Sequence, residues 1–248
     1  MISHLYATVT STPANQHGNY YNDFSGYISR LILIDFCRFL IHGFQEDDGA
    51  DINVETSREL LEFYDFNVIF VDWSLGSSTI NYIAARSRVN LVGPLVARYI
   101  DFLHENEAVD FNRLTLIGFS LGAHIAGVTG KNVRRGRINT IIGLDPAGPL
   151  FDINNPSTRL DITDADYVEC HHTNGGTIGA GIGRAIGHAD FFVNGGSSQP
   201  GCLTNTCSHL RAVPYYVESI QNNQFWAYSC ANESDAGRGR CTGFPYAL

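Results

Sequence analysis

Residues 115–124 read Thr-Leu-Ile-Gly-Phe-Ser-Leu-Gly-Ala-His, and the reading of the whole chain turns on this decamer. It holds Gly118-Phe119-Ser120-Leu121-Gly122, a G-x-S-x-G motif. An apolar run (Leu114, Leu116, Ile117) precedes the motif, and a small-residue run (Ala123, Ile125, Ala126, Gly127) follows it. Strand, sharp turn and helix form the context in which such a serine projects its Oγ from the end of a sheet. The turn holds the serine backbone under strain. Cβ atoms two residues before or after it would crowd the turn, so glycine suits both places. The helix N-terminus beyond it offers free N–H groups to a developing oxyanion. A Gly-rich loop that merely contains serine would lack the flanking strand and helix.

Outward from the decamer, strand and helix signals alternate. Arg38–Ile41 is a buried-strand candidate ending at His42-Gly43-Phe44, and Asn67–Val71 is a β-branched strand ending at Asp72-Trp73. Glu55–Tyr64 reads as a short helix with Leu60, Leu61 and Tyr64 on one face. Residues 88–104 place Val92, Leu95, Val96, Tyr99 and Leu103 at helical spacing. Thr140–Leu144 and Asp166–His171 are further strands, and Arg211–Gln221 a further helix. Continuous apolar strands between helices predict an α/β fold, a mostly parallel sheet with helices on both faces. Ligands bind such sheets where strands end in loops. Residues 1–36 carry no assignable pattern, so the catalytic domain is expected to span 37–248.

A serine hydroxyl is a weak nucleophile and needs a base, with an orienting acid behind it. In an α/β-hydrolase these follow in the order Ser, Asp or Glu, His. Asp145 closes the strand after Ser120, which puts a carboxylate on the same sheet edge. It also suits capping of the Pro146-Ala-Gly turn, and the two roles are compatible. Asp161, Asp164 and Asp166 are rivals that read as turn or strand-start residues. Four histidines follow Asp145: His171, His172, His188 and His209. His209 lies in the loop-like Cys207-Ser-His-Leu-Arg211, from which it could be aimed at the sheet edge. The other three read as packing or structural histidines. The oxyanion donors are then the backbone N–H groups of Leu121 and Phe44.

Composition narrows the partners. The 248 residues, 44% apolar and 17% charged, suit one globular domain with a substantial core. A net charge of −9 argues against nucleic acid and against electrostatic docking on anionic membranes. No apolar run is long enough for a transmembrane helix. Neither H-E-x-x-H nor C-x-x-C is present, so no metal or cofactor is expected. Gly179-Ala-Gly181-Ile-Gly183 superficially suggests a phosphate loop, but no helix pattern follows it. Cys202 with Cys207, and Cys230 with Cys241, sit in loop-like sequence and could form local disulfides. Cys37 and Cys170 read as buried free thiols. Asn232-Glu-Ser234 is a glycosylation sequon. The first ten residues lack the pattern of a secretory leader.

Taken together, these segments resemble the animal neutral (pancreatic-type) lipases, and most of all the secreted phospholipase A1-like members of insects. The resemblance runs from about Arg38 to Cys241. It is carried by Phe39-Leu-Ile-His-Gly-Phe44, Val71-Asp-Trp73, Gly118–His124, Gly143-Leu-Asp-Pro-Ala-Gly-Pro149, Gly187-His-Ala-Asp-Phe-Phe192 and Cys207-Ser-His-Leu-Arg-Ala212. It implies an α/β-hydrolase fold with Ser120 as nucleophile, Asp145 as acid and His209 as base. It also implies the Cys202–Cys207 and Cys230–Cys241 disulfides and an extracellular setting. A chain ending soon after Cys241 would stop short of a lipid-binding β-sandwich and leave the catalytic domain cut at its C-terminal edge. By the same comparison, residues 1–36 would be incomplete or misassembled.

Two loops separate substrate classes within this resemblance. The lid between Cys202 and Cys207 is only Leu203-Thr-Asn-Thr206, and the loop from Thr173 to Ile186 is short and Gly-rich. Short versions of both go with phospholipase A1 activity, because so short a bridge cannot fold over the serine. Phospholipid is therefore the expected substrate, cleaved at the sn-1 ester. Triacylglycerol or galactolipid is the alternative within enzymes. Outside enzymes, the alternative is an inactive yolk-type lipid-binding protein.

Overall fold

The apolar runs become adjacent strands in the computed structural model, which describes residues 6–10, 36–221, 225–242 and 245–247. The strands of the main sheet are Tyr6–Thr10 (β1), Cys37–Ile41 (β2), Asn67–Asp72 (β3), Leu114–Phe119 (β4), Thr140–Leu144 (β5), Tyr167–His172 (β6) and Ala189–Phe192 (β7). Their order is β1-β3-β2-β4-β5-β6-β7, with β1 antiparallel at one edge and the other six parallel. Residues 6–10 thus add an edge strand from the segment that carried no assignable pattern. Residues 1–5 and 11–35 lie outside the described residues. Trp226–Tyr228 (β8) and Pro245–Ala247 (β9) form a separate antiparallel pair.

Period-two burial explains why these runs lack polar alternation. Phe39, Ile41, Leu116 and Ile141 face one layer of helices, Tyr82–Glu105 (α3) and Leu121–Asn132 (α4). Leu40, Val68, Ile117 and Leu144 face the other, Asp51–Phe63 (α1) and Ala212–Gln221 (α6). A strand covered on both sides must be apolar at every position. The fold is therefore the expected α/β-hydrolase sheet. In α3, Gly93 permits close approach to α4, since a Cβ there would fall on the Val128 side chain. The remaining helices are Ser74–Ser77 (α2), Asn205–Leu210 (α5) and Glu233–Gly237 (α7).

Two local expectations are corrected. Tyr64 does not share an apolar helix face with Leu60. It is the extended C-cap of α1, about half exposed, and its ring stacks on Phe66. His209 lies not in a loop but inside α5, whose start is set by the Thr204 side chain accepting from Cys207 N–H. Helix capping by threonine outweighs the loop-like composition. The Cys202–Cys207 and Cys230–Cys241 disulfides are formed, while Cys37 and Cys170 are buried thiols. Burial pushes the Cys37 thiol up to about 12, which keeps it protonated and unreactive. Asn232 is exposed at the N-cap of α7.

Candidate active site

Strand register sets the site. Phe119 at the end of β4 pairs with Leu144 of β5, and Leu144 pairs with His171 of β6. Ser120 and Asp145 therefore leave the sheet side by side. Ser120 N–H donates to Leu144 O at 3.0 Å and Asp145 N–H to His171 O at 2.7 Å. Ser120 sits at φ 55°, ψ −118°, a conformation that costs a non-glycine residue energy and is held by its surroundings. A Cβ on Gly118 would fall on the Gly122 carbonyl, and one on Gly122 on the Ile41 carbonyl oxygen. The two glycines are what let this turn close against β2.

Asp145 is fully buried, also at positive φ (39°). Its Oδ1 accepts from the N–H groups of Thr173 and Asn174 at 2.8 and 3.1 Å. Its Oδ2 meets His209 Nδ1 at 2.5 Å, and His209 Nε2 lies 2.8 Å from Ser120 Oγ. A carboxylate can only accept, so the imidazole proton belongs on Nδ1, leaving Nε2 to accept from the serine hydroxyl. Structure thus brings Ser120 at the start of α4, His209 in α5 and Asp145 after β5 into one hydrogen-bonded line.

The frame behind His209 was not legible in the sequence. Gln199 is buried; its N–H donates to Ser208 Oγ, and its Nε2 to Thr173 O at 2.8 Å and Val193 O at 2.9 Å. One residue thereby joins the histidine helix, through its backbone N–H, to the loop that holds Asp145, through its side chain. Its only sequence signal is a glutamine beside the Pro200-Gly201-Cys202 turn.

On the other side, His42-Gly43-Phe44 follows β2 and abuts the serine. A Cβ on Gly43 would lie 3.1 Å from Ser120 Cβ. Gly43 N–H donates to Glu46 Oε2 at 2.6 Å and Gln45 N–H to Ser77 O at 3.3 Å. Both neighbours' N–H groups are thus engaged, with Phe44 between them. The Phe44 ring packs edge-on against Tyr82. Leu121 opens α4, where the first N–H groups lack helical acceptors. Glu46 was not foreseen as part of this loop. Burial pushes its carboxyl above the ordinary value, while the Gly43 N–H acts the other way.

His124, one turn into α4, ties the serine helix to the acid loop. Leu160 N–H donates to its Nδ1 at 3.0 Å, so its Nε2–H donates to Ala147 O at 2.8 Å. A second proton would face the Leu160 N–H, and burial holds the imidazole down to about 3. The ordinary value is 6.5, so between pH 6.5 and about 3 the unfolded chain binds a proton that the folded chain refuses. Stability from this group is complete well above pH 6.5 and is lost progressively as pH falls towards about 3. Melting temperature is expected to fall steeply from pH 7 to 5, and more gently in His124→Gln. Equal slopes would refute this.

The rival residues serve structure. Asp161 and Asp164 form a capping box on residues 162–164, and Asp164 is paired with Lys131. Asp166 pairs with Arg137. His171 bonds Glu169 and His172 bonds Asp190, while His188 Nδ1 accepts from Val168 N–H. Cys170, His172 and Asp190 converge in the interior. The Asp190 carboxylate there already accepts from Ile186 and Gly187 N–H as well as meeting His172.

A protein-family model described as Lipase matches residues 33–245. The chain belongs to the lipase family. It is 38% identical to Phospholipase A1 1 of Dolichovespula maculata, over 82% of this chain and 66% of that protein. It is 34% identical to pancreatic triacylglycerol lipase of Ictidomys tridecemlineatus, over 92% of this chain and 55% of that protein. It is also 37% identical to inactive pancreatic lipase-related protein 1 of Mus musculus, over 82% of this chain and 48% of that protein. This lipase-family chain thus spans about half the length of the two pancreatic-type relatives. Relatives named for activity and for inactivity match it equally well, so membership alone does not carry activity.

Proposed function

We propose that this protein is an extracellular serine carboxylic-ester hydrolase acting on phospholipid, with phospholipase A1 specificity. The single observation that carries the reading is the line from Ser120 Oγ through His209 to buried Asp145. His209 Nε2 takes the Ser120 proton as Oγ attacks the ester carbonyl. The N–H groups of Phe44 and Leu121 hold the tetrahedral oxygen. Protonated His209 then gives its proton to the leaving lysophospholipid oxygen. Water, deprotonated by His209 in turn, releases the acid from the acyl-serine. The two disulfides support an oxidising, extracellular setting.

Loop lengths support the phospholipid assignment. Four residues separate Cys202 from Cys207, and Leu203 stands fully exposed rather than folded over the serine. A bridge this short leaves room for a headgroup beside the sn-1 ester. The test is hydrolysis of phosphatidylcholine with distinguishable sn-1 and sn-2 chains, beside triolein, with Ser120→Ala as control. Ser120-dependent release of the sn-1 acid with triolein nearly untouched is expected. Preferred triolein cleavage would overturn the loop-length reading, and no hydrolysis from folded protein would favour a binding protein.

A further inference from the structure

A second carboxylate reaches the nucleophile from the side opposite Asp145. The turn after β2 brings in Glu46, whose Oε2 accepts from Gly43 N–H at 2.6 Å. A Cβ built on Gly43 would stand 3.1 Å from that oxygen and 3.1 Å from Ser120 Cβ. One methyl group would therefore bridge the gap between the Glu46 carboxylate and the serine side chain. The same Cβ would touch the Phe119 ring, whose centroid lies 4.7 Å from that of the His209 imidazole. Apolar ring, rather than water, thus fills part of the space between Glu46 and His209.

The turn that delivers this carboxylate is fixed in place. Gln45 takes a left-handed φ of 60°, and Glu46 O accepts from the hydroxyl of fully buried Ser77, in α2, at 2.8 Å. Charged neighbours come from several elements. His42 faces Glu46 from the end of β2, with Asp72 of β3 behind it, Asp51 from α1 and His209 from α5. Asp47 and Asp48 follow on its own loop. Burial pushes the Glu46 carboxyl up, the Gly43 N–H and the two imidazoles pull it back, and Asp51 adds to the push. Of these groups only His209 lies on the line through Ser120.

We infer that Glu46 is a positioning residue with two effects: its Oε2 holds Gly43 so that Phe44 presents its N–H to the oxyanion, and its negative charge favours the protonated imidazole of His209. This rests on the proposed hydrolysis at Ser120. Glu46 acts through Gly43 and through space, without touching the ester. An anion beside His209 makes the imidazole a stronger base and stabilises the imidazolium formed as Ser120 attacks. It also keeps His209 protonated, and so idle as a base, to higher pH. The acid side of the activity profile is therefore where the charge shows.

The test is the pH dependence of kcat/KM on a soluble butyrate ester, for the full chain and for Glu46→Gln, Glu46→Ala and Asp47→Asn. The His209 imidazole is followed separately by its NMR resonance. Glu46→Gln removes the charge but keeps an oxygen for Gly43 N–H. Its acid limb should move to lower pH by about half a pH unit or more, and the His209 resonance should move with it. Glu46→Ala should show the same displacement and also lose about tenfold to a hundredfold in kcat, with KM changed far less, because the Phe44 N–H matters most in the transition state. Asp47→Asn removes an equal charge from an exposed place on the same loop and should move neither readout. Circular dichroism checks the fold, and the conservative glutamine variant carries the test if the alanine variant does not fold. An acid limb and resonance unmoved in Glu46→Gln, an equal displacement in Asp47→Asn, or parental kcat in Glu46→Ala would overturn the inference. A parent chain with no Ser120-dependent hydrolysis, whose His209 resonance still responds to Glu46→Gln, would instead sink the enzyme reading and leave the coupling of Glu46 to His209 standing.

Discussion

Ser120→Ala is expected to lower kcat for ester hydrolysis by about 10⁶-fold, with the fold intact. Asp145→Asn is expected to cost about 10⁴-fold by a different route. In the asparagine variant the amide oxygen must take the Oδ1 place, because Thr173 and Asn174 both aim N–H groups there. That puts the NH₂ where Oδ2 met His209 Nδ1. Two donors now face each other, so the imidazole carries its proton on Nε2 instead. Nε2 then cannot accept from Ser120, although no atom has moved far. Hydrolysis of a soluble butyrate ester, with circular dichroism as the fold check, measures both variants. Retention of a tenth of wild-type rate by Ser120→Ala would refute the assignment. So would an Asp145→Asn rate near that of wild type.

Gly122→Ala is expected to destabilise the chain by about 3–5 kcal/mol, a large effect for a single methyl. The added Cβ would fall on the Ile41 carbonyl oxygen, with the His42 oxygen next nearest. Both are backbone atoms of a central strand and its exit, so neither can rotate away. α4 would have to lift from β2, carrying Ser120 off its line with His209. Melting temperature should drop by about 10 °C, and labelling of Ser120 by a fluorophosphonate should slow. Gly237→Ala is the control, since its Cβ would come no nearer than 3.6 Å to Gly195 O. Equal melting of the two variants would show that the elbow tolerates a side chain.

Much of the molecule was legible because its signals are local. A buried strand must be apolar on both faces, so β2 to β6 announced themselves as unbroken runs. The elbow did so through the glycines flanking Ser120. β7 was missed because Ala189–Phe192 is four residues long and only half-buried, which leaves little pattern to read. The start of α5 was missed because its sequence, Asn-Thr-Cys-Ser-His-Leu, has weak helical propensity and depends on the Thr204 cap.

By itself the sequence determined the parallel α/β sheet and the glycine-flanked turn at Ser120, and it marked Ser120, Asp145 and His209 as the candidate set. It also determined the shortness of the loop between the disulfide-linked Cys202 and Cys207. Only the tertiary structure decided that His209 reaches a serine 89 positions away and an aspartate 64 away. Local periodicity cannot encode that meeting. It follows from strand register beyond Phe119 and Leu144, and from Gln199 bracing α5 against the Thr173 loop.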